Sequence, residues 1–419
     1  MFPALGRPML NWYHELQDTE RRTLIAAFGG WAVDAFDFMI YTFLIPTLIA
    51  AWSMTKGQAG LIGTVTLILS AVGGWLAGIL ADRYGRVLML QVTIAWFAVF
   101  TFLCGFTQSF EQLMLTRALQ GLGFGGEWAV GSVLVAEMIR ADHRGKAVGT
   151  VQSGWAVGWG VAALAFTVLF MLLPEQWAWR VLFWAGLAPA LLVLYVRRNV
   201  KEPAVFLHTR ARVQTEGGHF LEIFSPALLR TTAFASLMTL GMMIGYYAVT
   251  FWLPTYLKTV RHLSVLGTGL YTTVIIVGSF VGYVVAAYLS DHIGRRRTFV
   301  VFAACSAAIA VVYTQMPIDD TTMLILGFPL GFFVSGNFSG MGAFLAELLP
   351  SRVRGSGQGF IYNVGRGLSA FTPYLVGRLS DTVGLGQAIA VVAGTAFATV
   401  IVMVAVLPET RGKELAAYD

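Results

Sequence analysis

The chain has 419 residues, 57% of them apolar and 12% charged, and a mean hydropathy of +0.71. Soluble domains average about 45–50% apolar and about 25% charged residues, so this composition excludes a soluble enzyme, a disordered chain and a coiled coil, and leaves a polytopic membrane protein. The net charge of +6 is carried in short loops between apolar runs rather than along one stripe, which excludes a nucleic-acid partner.

The first 22 residues are polar, with Asn11, His14, Glu15, Asp18 and Arg21 among them. They lack the basic, apolar, small-residue order of a cleaved signal, so the first helix is expected to stay in the membrane. A spanning helix needs about 20 mostly apolar residues. Twelve runs qualify, here numbered spans 1 to 12, at 23–50, 57–81, 87–106, 112–139, 146–173, 180–197, 228–257, 265–289, 298–316, 321–349, 356–377 and 385–407. Span 1 carries Asp34 and Asp37, roughly 16–21 Å deep at a rise of about 1.5 Å per residue. Span 4 carries Arg117 and, near its middle, Glu127. Its run Gly121–Gly126 lacks the strand and the Lys-Ser/Thr ending of a phosphate loop and reads as close helix packing. Span 5 holds Gln152, Trp155 and Trp159, span 7 holds Tyr246 and Tyr247, span 10 holds Asn337, and span 11 holds Asn363 and Arg366. Spans 3, 6, 9 and 12 carry no charge well inside their bounds. Cys104 and Cys305 lie inside apolar runs, so no disulfide framework is expected.

Lysine and arginine give the orientation. The face with residues 1–22, the C-terminus and the loops after spans 2, 4, 6, 8 and 10 holds 21 of the 28 Lys and Arg. The positive-inside bias places that face, and both termini, in the cytoplasm of a cell whose plasma (inner) membrane the chain crosses.

The sequence also repeats. The loop after span 2 reads Asp82-Arg83-Tyr-Gly85-Arg86, and the loop after span 8 reads Asp291-His-Ile-Gly294-Arg295. Glu137, Arg144 and Gly145 after span 4 recur as Glu347, Arg354 and Gly355 after span 10. Two signatures at nearly one offset indicate a duplicated six-helix unit. The expected division is an N-terminal six-helix bundle at 1–197, a cytoplasmic linker at 198–227 and a C-terminal six-helix bundle at 228–419. Such parallel halves place a site between them near the bilayer midplane.

The run Gly78-Ile-Leu-Ala-Asp82-Arg83-Tyr-Gly85-Arg86 with its second copy, Arg117-Ala-Leu-Gln-Gly121-Leu-Gly123 in span 4 and Leu407-Pro-Glu409-Thr-Arg-Gly after span 12 resemble the signatures of the major facilitator superfamily. The resemblance covers the whole chain. Asp34-Ala-Phe-Asp37 with Gly125-Gly-Glu127 is similar to the branches that import organic acids with protons: the sialate, aromatic-acid and metabolite symporters, including fungal-type lactate permeases. In span 7 this chain reads Gly241-Met-Met-Ile-Gly-Tyr246-Tyr247 where those permeases carry a polar string. The resemblance implies an all-α fold of two pseudo-symmetric bundles, a monomer, and lipid-facing spans 3, 6, 9 and 12.

A charge at the bilayer centre costs about 2.5–3.5 kcal/mol on insertion scales, so buried ionisable residues point to function. Asp34 and Asp37, three apart, share a helix face. Two carboxylates in a poorly solvated cavity resist ionising together, which suits a proton-coupling site, with Glu127 as a third candidate. Arg366 offers a planar fork to a carboxylate, and the competing role is a salt bridge to Glu127 or an Asp. Gln152, Asn337, Asn363, Trp155, Trp159, Tyr246 and Tyr247 are the further substrate-binding candidates. Asp82, Arg83, Arg86, Glu137, Arg144, Asp291, Arg295, Glu347 and Arg354 are expected to form gating ion pairs, with Arg117 divided between relay and structural roles. The expected function is secondary active, proton-coupled import of a small organic anion by alternating access. No cofactor beyond the proton gradient is expected, and there is no Walker-type motif for ATP. An exporter or uniporter of the same fold is the alternative.

Overall fold

Capping chemistry decides where several helices begin. Thr55 accepts from the N–H of Gln58, Ser264 from Gly267 and Asp319 from Thr322, each at 3.1 Å, and Ser109 accepts from Gln112 at 3.4 Å. Each bond satisfies one orphan donor at the start of span 2, 8, 10 or 4. The computed structural model describes residues 11–139, 141–188, 190–202, 220–350 and 353–411.

Spans 1 to 5 are single helices, Asp18–Trp52, Lys56–Tyr84, Arg86–Cys104, Phe110–Met138 and Ala141–Leu172. Span 6 joins Glu175–Ala185 to Ala190–Asn199, and span 7 joins Leu229–Thr250 to Leu253–Thr259. Span 8 is Val265–Ile293 and span 9 is Arg295–Gln315. Span 10 joins Asp320–Gly336 to Met341–Leu348, span 11 joins Arg354–Ser369 to Thr372–Val383, and span 12 is Leu385–Val406. Among the described residues, ten stretches are long and apolar enough to cross a membrane. Spans 4 and 11, which carry Arg117, Glu127 and Arg366, are helical but fall outside that measure.

Four spans expected to be continuous are thus broken in two. Pro254 and Pro373 explain two of the breaks, since each opens the second helix of its span and proline has no N–H to continue a helix. The break in span 10 falls between Gly336 and Met341.

Spans 1 and 5, 2 and 4, and 3 and 4 pack together, as do 7 and 12, 8 and 10, and 9 and 12. The glycine run is packing surface, as expected. Gly121 and Gly125 lie against the carbonyls of Thr66 and Ser70, where any Cβ would collide. Span 8 repeats the device at Gly278 and Gly282 against Phe328 and Phe332.

The repeated loops match in three dimensions. Gly85 and Gly294 have φ of +115° and +101°, a region only glycine enters without strain. The helix after each is capped from the end of its own six spans. Glu202 accepts from the N–H of Arg86 at 3.0 Å and of Val87 at 2.8 Å. Glu409 accepts from Arg295 at 2.9 Å and Arg296 at 3.1 Å.

Contacts between the first and last six spans gather on the face opposite the chain ends. The N–H of Tyr374 donates to Thr64 Oγ1 at 3.3 Å, Lys258 pairs with Glu175 at 3.4 Å, and Gly60 lies against the carbonyl of Pro373. Nearer the centre, the ring of Phe251 lies 6.1 Å from Phe38 and 5.9 Å from Tyr41.

Candidate functional site

A small cavity of about 40 Å³ lies at the centre, where the two sets of six spans meet. Trp31 lines it from span 1, and Gln152 and Trp155 from span 5. Met243, Tyr246 and Tyr247 come from span 7 and Tyr283 from span 8. Phe338 lies in the break of span 10, and Tyr362 and Arg366 come from span 11. Among the described residues none that lines the cavity belongs to spans 3, 6, 9 or 12, which instead expose Trp96, Leu191, Val311 and Val402 on the outside. The indole N–H of Trp155 donates to the Tyr246 hydroxyl at 2.6 Å and so bridges the two sets of spans. Trp31 lies 4.9 Å from Trp155, and together they form one aromatic wall.

Arg366 is buried at 3% exposure on this wall. Its guanidinium sits 4.8 Å from the centroid of Phe124, and its Nε has no hydrogen-bond partner. Among the described residues no carboxylate lies within salt-bridge distance of it.

Asp34, Asp37 and Glu127 are all buried. The Asp34 and Glu127 carboxyls meet within hydrogen-bonding range, and Arg366 is their main opposing charge. Neither Asp34 oxygen nor Glu127 Oε1 has a donor in reach. Two carboxylates offer only acceptors, so this contact closes when one of them holds a proton and donates it. Gly30 makes room for the pair, because a Cβ there would strike Glu127 Oε1.

Asp37 belongs to a second cluster. The charge of Asp37 still bears on Asp34, as their spacing leads one to expect, but the two carboxyls have different hydrogen-bonding neighbours. Positions three apart lie about 60° apart around a helix, so Asp34 turns to Glu127 while Asp37 turns to span 3. There Asp37 Oδ1 meets the hydroxyl of Thr101. Arg117 Nη1 reaches the backbone carbonyl of Asp37 at 3.5 Å, and its guanidinium lies 5.0 Å from the ring centroid of Tyr41. Arg117 is therefore a buried partner of span 1, away from the signature loops.

Of the substrate-binding candidates, Gln152, Trp155, Tyr246, Tyr247 and Arg366 line the cavity, and three do not. Asn337 donates to Ser306 Oγ at 3.1 Å and to the Phe333 carbonyl at 2.9 Å, tying span 10 to span 9. Asn363 donates to the Gly359 carbonyl of its own helix at 2.9 Å. Trp159 is sealed in the packing around span 5. Of the gating candidates, Arg295 pairs with Glu347 at 2.9 Å and donates to Ser290 at 2.6 Å, and Thr410 donates to Glu347 at 2.5 Å. Arg86 donates to the Ala81 carbonyl at 2.9 Å. The side chains of Asp82, Arg83, Glu137, Arg144, Asp291 and Arg354 lie outside the described residues.

Sequence reasoning missed Trp31, Met243, Tyr283, Phe338 and Tyr362 on the wall, and Thr101 and Phe124 behind it. Two of these carried a usable signal: Trp31 is three residues from Asp34 and Tyr362 four from Arg366, the spacing of one helix face.

The profile described as Major Facilitator Superfamily matches residues 27–318 and 262–417. The chain is 43% identical over 406 residues to a protein of Cupriavidus pinatubonensis described as a probable 4-methylmuconolactone transporter, covering 96% of this chain and 94% of that one. It is 30% identical over 384 residues to the cis,cis-muconate transport protein of Acinetobacter baylyi, covering 88% and 90%. Its fold matches the crystal structure of a D-xylose-proton symporter with a TM-score of 0.73 at 20% identity, covering 94% and 99% of the two chains. With a profile spanning nearly its whole length and relatives that are transporters rather than enzymes, the chain belongs to the Major Facilitator Superfamily.

Proposed function

We propose that this multi-pass transporter imports a small organic acid together with protons, working as a monomer by alternating access. The observation that carries the reading is Arg366, a buried cation on an aromatic cavity wall with no carboxylate of the described residues in salt-bridge contact. A substrate carboxylate suits the Arg366 guanidinium, and the rings of Trp31, Trp155 and Tyr246 suit a flat, unsaturated or cyclic body. The acids named for the relatives, 4-methylmuconolactone and cis,cis-muconate, are of this class.

Charge accounting supports the coupling. Arg366 facing an Asp34–Glu127 pair that shares one proton is neutral. An arriving monoanion leaves the chamber at −1, and a second proton on the acid pair restores neutrality. Uncompensated charge at this depth is costly, so substrate and proton enter together. The lysine and arginine distribution supports cytoplasmic chain ends, which puts the contacts of Tyr374 with Thr64 and of Lys258 with Glu175 on the outer face. The two sets of six spans then rock about the central site.

The test is thermal stabilisation of the purified transporter by a panel of free acids and their primary amides. The acids are expected to raise the melting temperature of the wild type and not of Arg366→Ala, and the amides of neither. Equal stabilisation of the wild type by acid and amide would remove Arg366 as the carboxylate site.

A further inference from the structure

One hydroxyl carries one proton. Thr101 in span 3 has two acceptors in reach, the carbonyl of Phe97 one turn back at 2.8 Å and Oδ1 of Asp37. It donates to only one of them at a time. The carbonyl is where a threonine inside a helix ordinarily places its proton. The remaining contact, oxygen against oxygen, then needs a proton from Asp37.

The far side of the carboxyl agrees. Asp37 Oδ2 has no partner. Arg117, the nearest cation, directs Nη1 to the backbone carbonyl of Asp37 rather than to its carboxyl, and leaves Nε and Nη2 without acceptors. An ionised Asp37 in this dry site would draw those N–H groups onto itself, because charge-assisted pairs are the strongest hydrogen bonds available there. Both observations have one solution: the acid O–H of Asp37 donates to Thr101 Oγ1, and Thr101 donates to Phe97.

We propose that Thr101 is the positioning residue for a further exchangeable proton, held on Asp37 apart from those of the Asp34–Glu127 pair: it is the acceptor that keeps Asp37 in its acid form while Arg117 stays turned away. The inference rests on the proton-coupled reading above. On release, the O–H bond of Asp37 breaks, the proton passes to water, and the electron pair left on the carboxylate is matched by Arg117 swinging from carbonyl to carboxyl. Thr101 keeps its bond to Phe97 throughout. Other groups facing the cluster are Tyr41, whose hydroxyl donates to the Ala59 carbonyl at 2.7 Å, and Cys104, whose thiol lies 3.4 Å from Thr116 Oγ1. Asp34 stands one turn back on span 1, with Glu127 and Arg366 beyond it.

The experiment is uptake of a labelled organic acid into proteoliposomes as a function of external pH. Thr101→Val keeps the volume and removes the acceptor from the acid form, while the ionised form keeps Arg117. The pH of half-maximal uptake is therefore expected to fall by about half to one unit, the worth of one hydrogen bond, with KM at saturating acidity unchanged. Thr101→Ser is expected to overlay the wild type, and Thr101→Cys, a weaker acceptor, to fall between. If Thr101→Val does not fold, Thr101→Cys decides in the same direction. A profile that overlays the wild type, or that moves to alkaline pH, overturns the proposal. If the wild type itself ignores a pH gradient, the coupling reading fails first. If it responds and the variants overlay it, the role of Thr101 alone fails.

Discussion

The guanidinium of Arg366, on span 11, rests over the ring of Phe124, on span 4, 4.8 Å from its centroid. This contact crosses from the last six spans to the first. The aromatic face supplies part of the stabilisation that a buried cation needs without supplying a countercharge. The fork of N–H donors thus stays available to a solute carboxylate in a chamber that both sets of spans enclose.

Arg366→Lys keeps the charge and loses the planar fork. Binding of an organic acid is expected to weaken roughly 10–100-fold, the range for a charged hydrogen bond lost without a substitute. Titration calorimetry measures it. A change under threefold would mean that Arg366 supplies only diffuse charge.

Glu127→Gln gives Asp34 a permanent amide donor in place of an exchangeable proton. The remaining carboxylate can still take the one proton that enters with the substrate, so Glu127→Gln and Asp34→Asn are each expected to keep gradient-driven accumulation. The double variant Asp34→Asn with Glu127→Gln is expected to keep counterflow of labelled substrate between equal pools and to lose accumulation driven by a pH gradient. Full gradient-driven accumulation in the double variant would take the pair out of the coupling scheme.

The Trp155–Tyr246 hydrogen bond joins the two sets of spans inside the cavity wall. Trp155→Phe and Tyr246→Phe each remove it, so their effects on stability are expected not to add. A double-mutant cycle should show a coupling of about 1 kcal/mol. Additive losses would show that the two rings contribute independently.

Glu409 lies beyond span 12. Partial burial pushes its carboxyl up, but the N–H groups of Arg411, Arg295, Arg296 and Thr410 outweigh this and hold it below the usual carboxylate value. A carboxyl depressed in the folded state stabilises above its unfolded value of about 4.3, and that contribution fades as pH falls through the folded value. Glu409→Gln is therefore expected to lower the melting temperature by the same amount at pH 6, 7 and 8, with the gap closing only in strong acid. A gap that changed between pH 6 and pH 8 would assign the effect to another group.

Much of the fold was legible because the solvent dictates it. In lipid each span must be long, apolar and internally bonded, so apolar runs read against their polar breaks located twelve spans, spans 4 and 11 among them although they fall short of the ordinary measure, and the paired loops around Gly85 and Gly294 disclosed the repeat. The breaks at Pro254 and Pro373 were marked by the prolines, though hydropathy runs straight through them. Within the site, depth was legible and direction was not. Asp34, Asp37, Asn337 and Trp159 all lie deep in their spans, yet only neighbouring helices decide which way each points. Thr101 gave no signal, because a threonine in an apolar helix ordinarily bonds its own backbone, and its contact with Asp37 exists only in three dimensions.

Uptake into proteoliposomes under a pH gradient alone, acid outside, tests the central claim most directly. The wild type should concentrate a labelled acid such as 4-methylmuconolactone above the external level and lose that accumulation when a protonophore is added. Equilibration to the external level and no further, indifferent to the gradient and the protonophore, would contradict a chamber that carries anion and proton together.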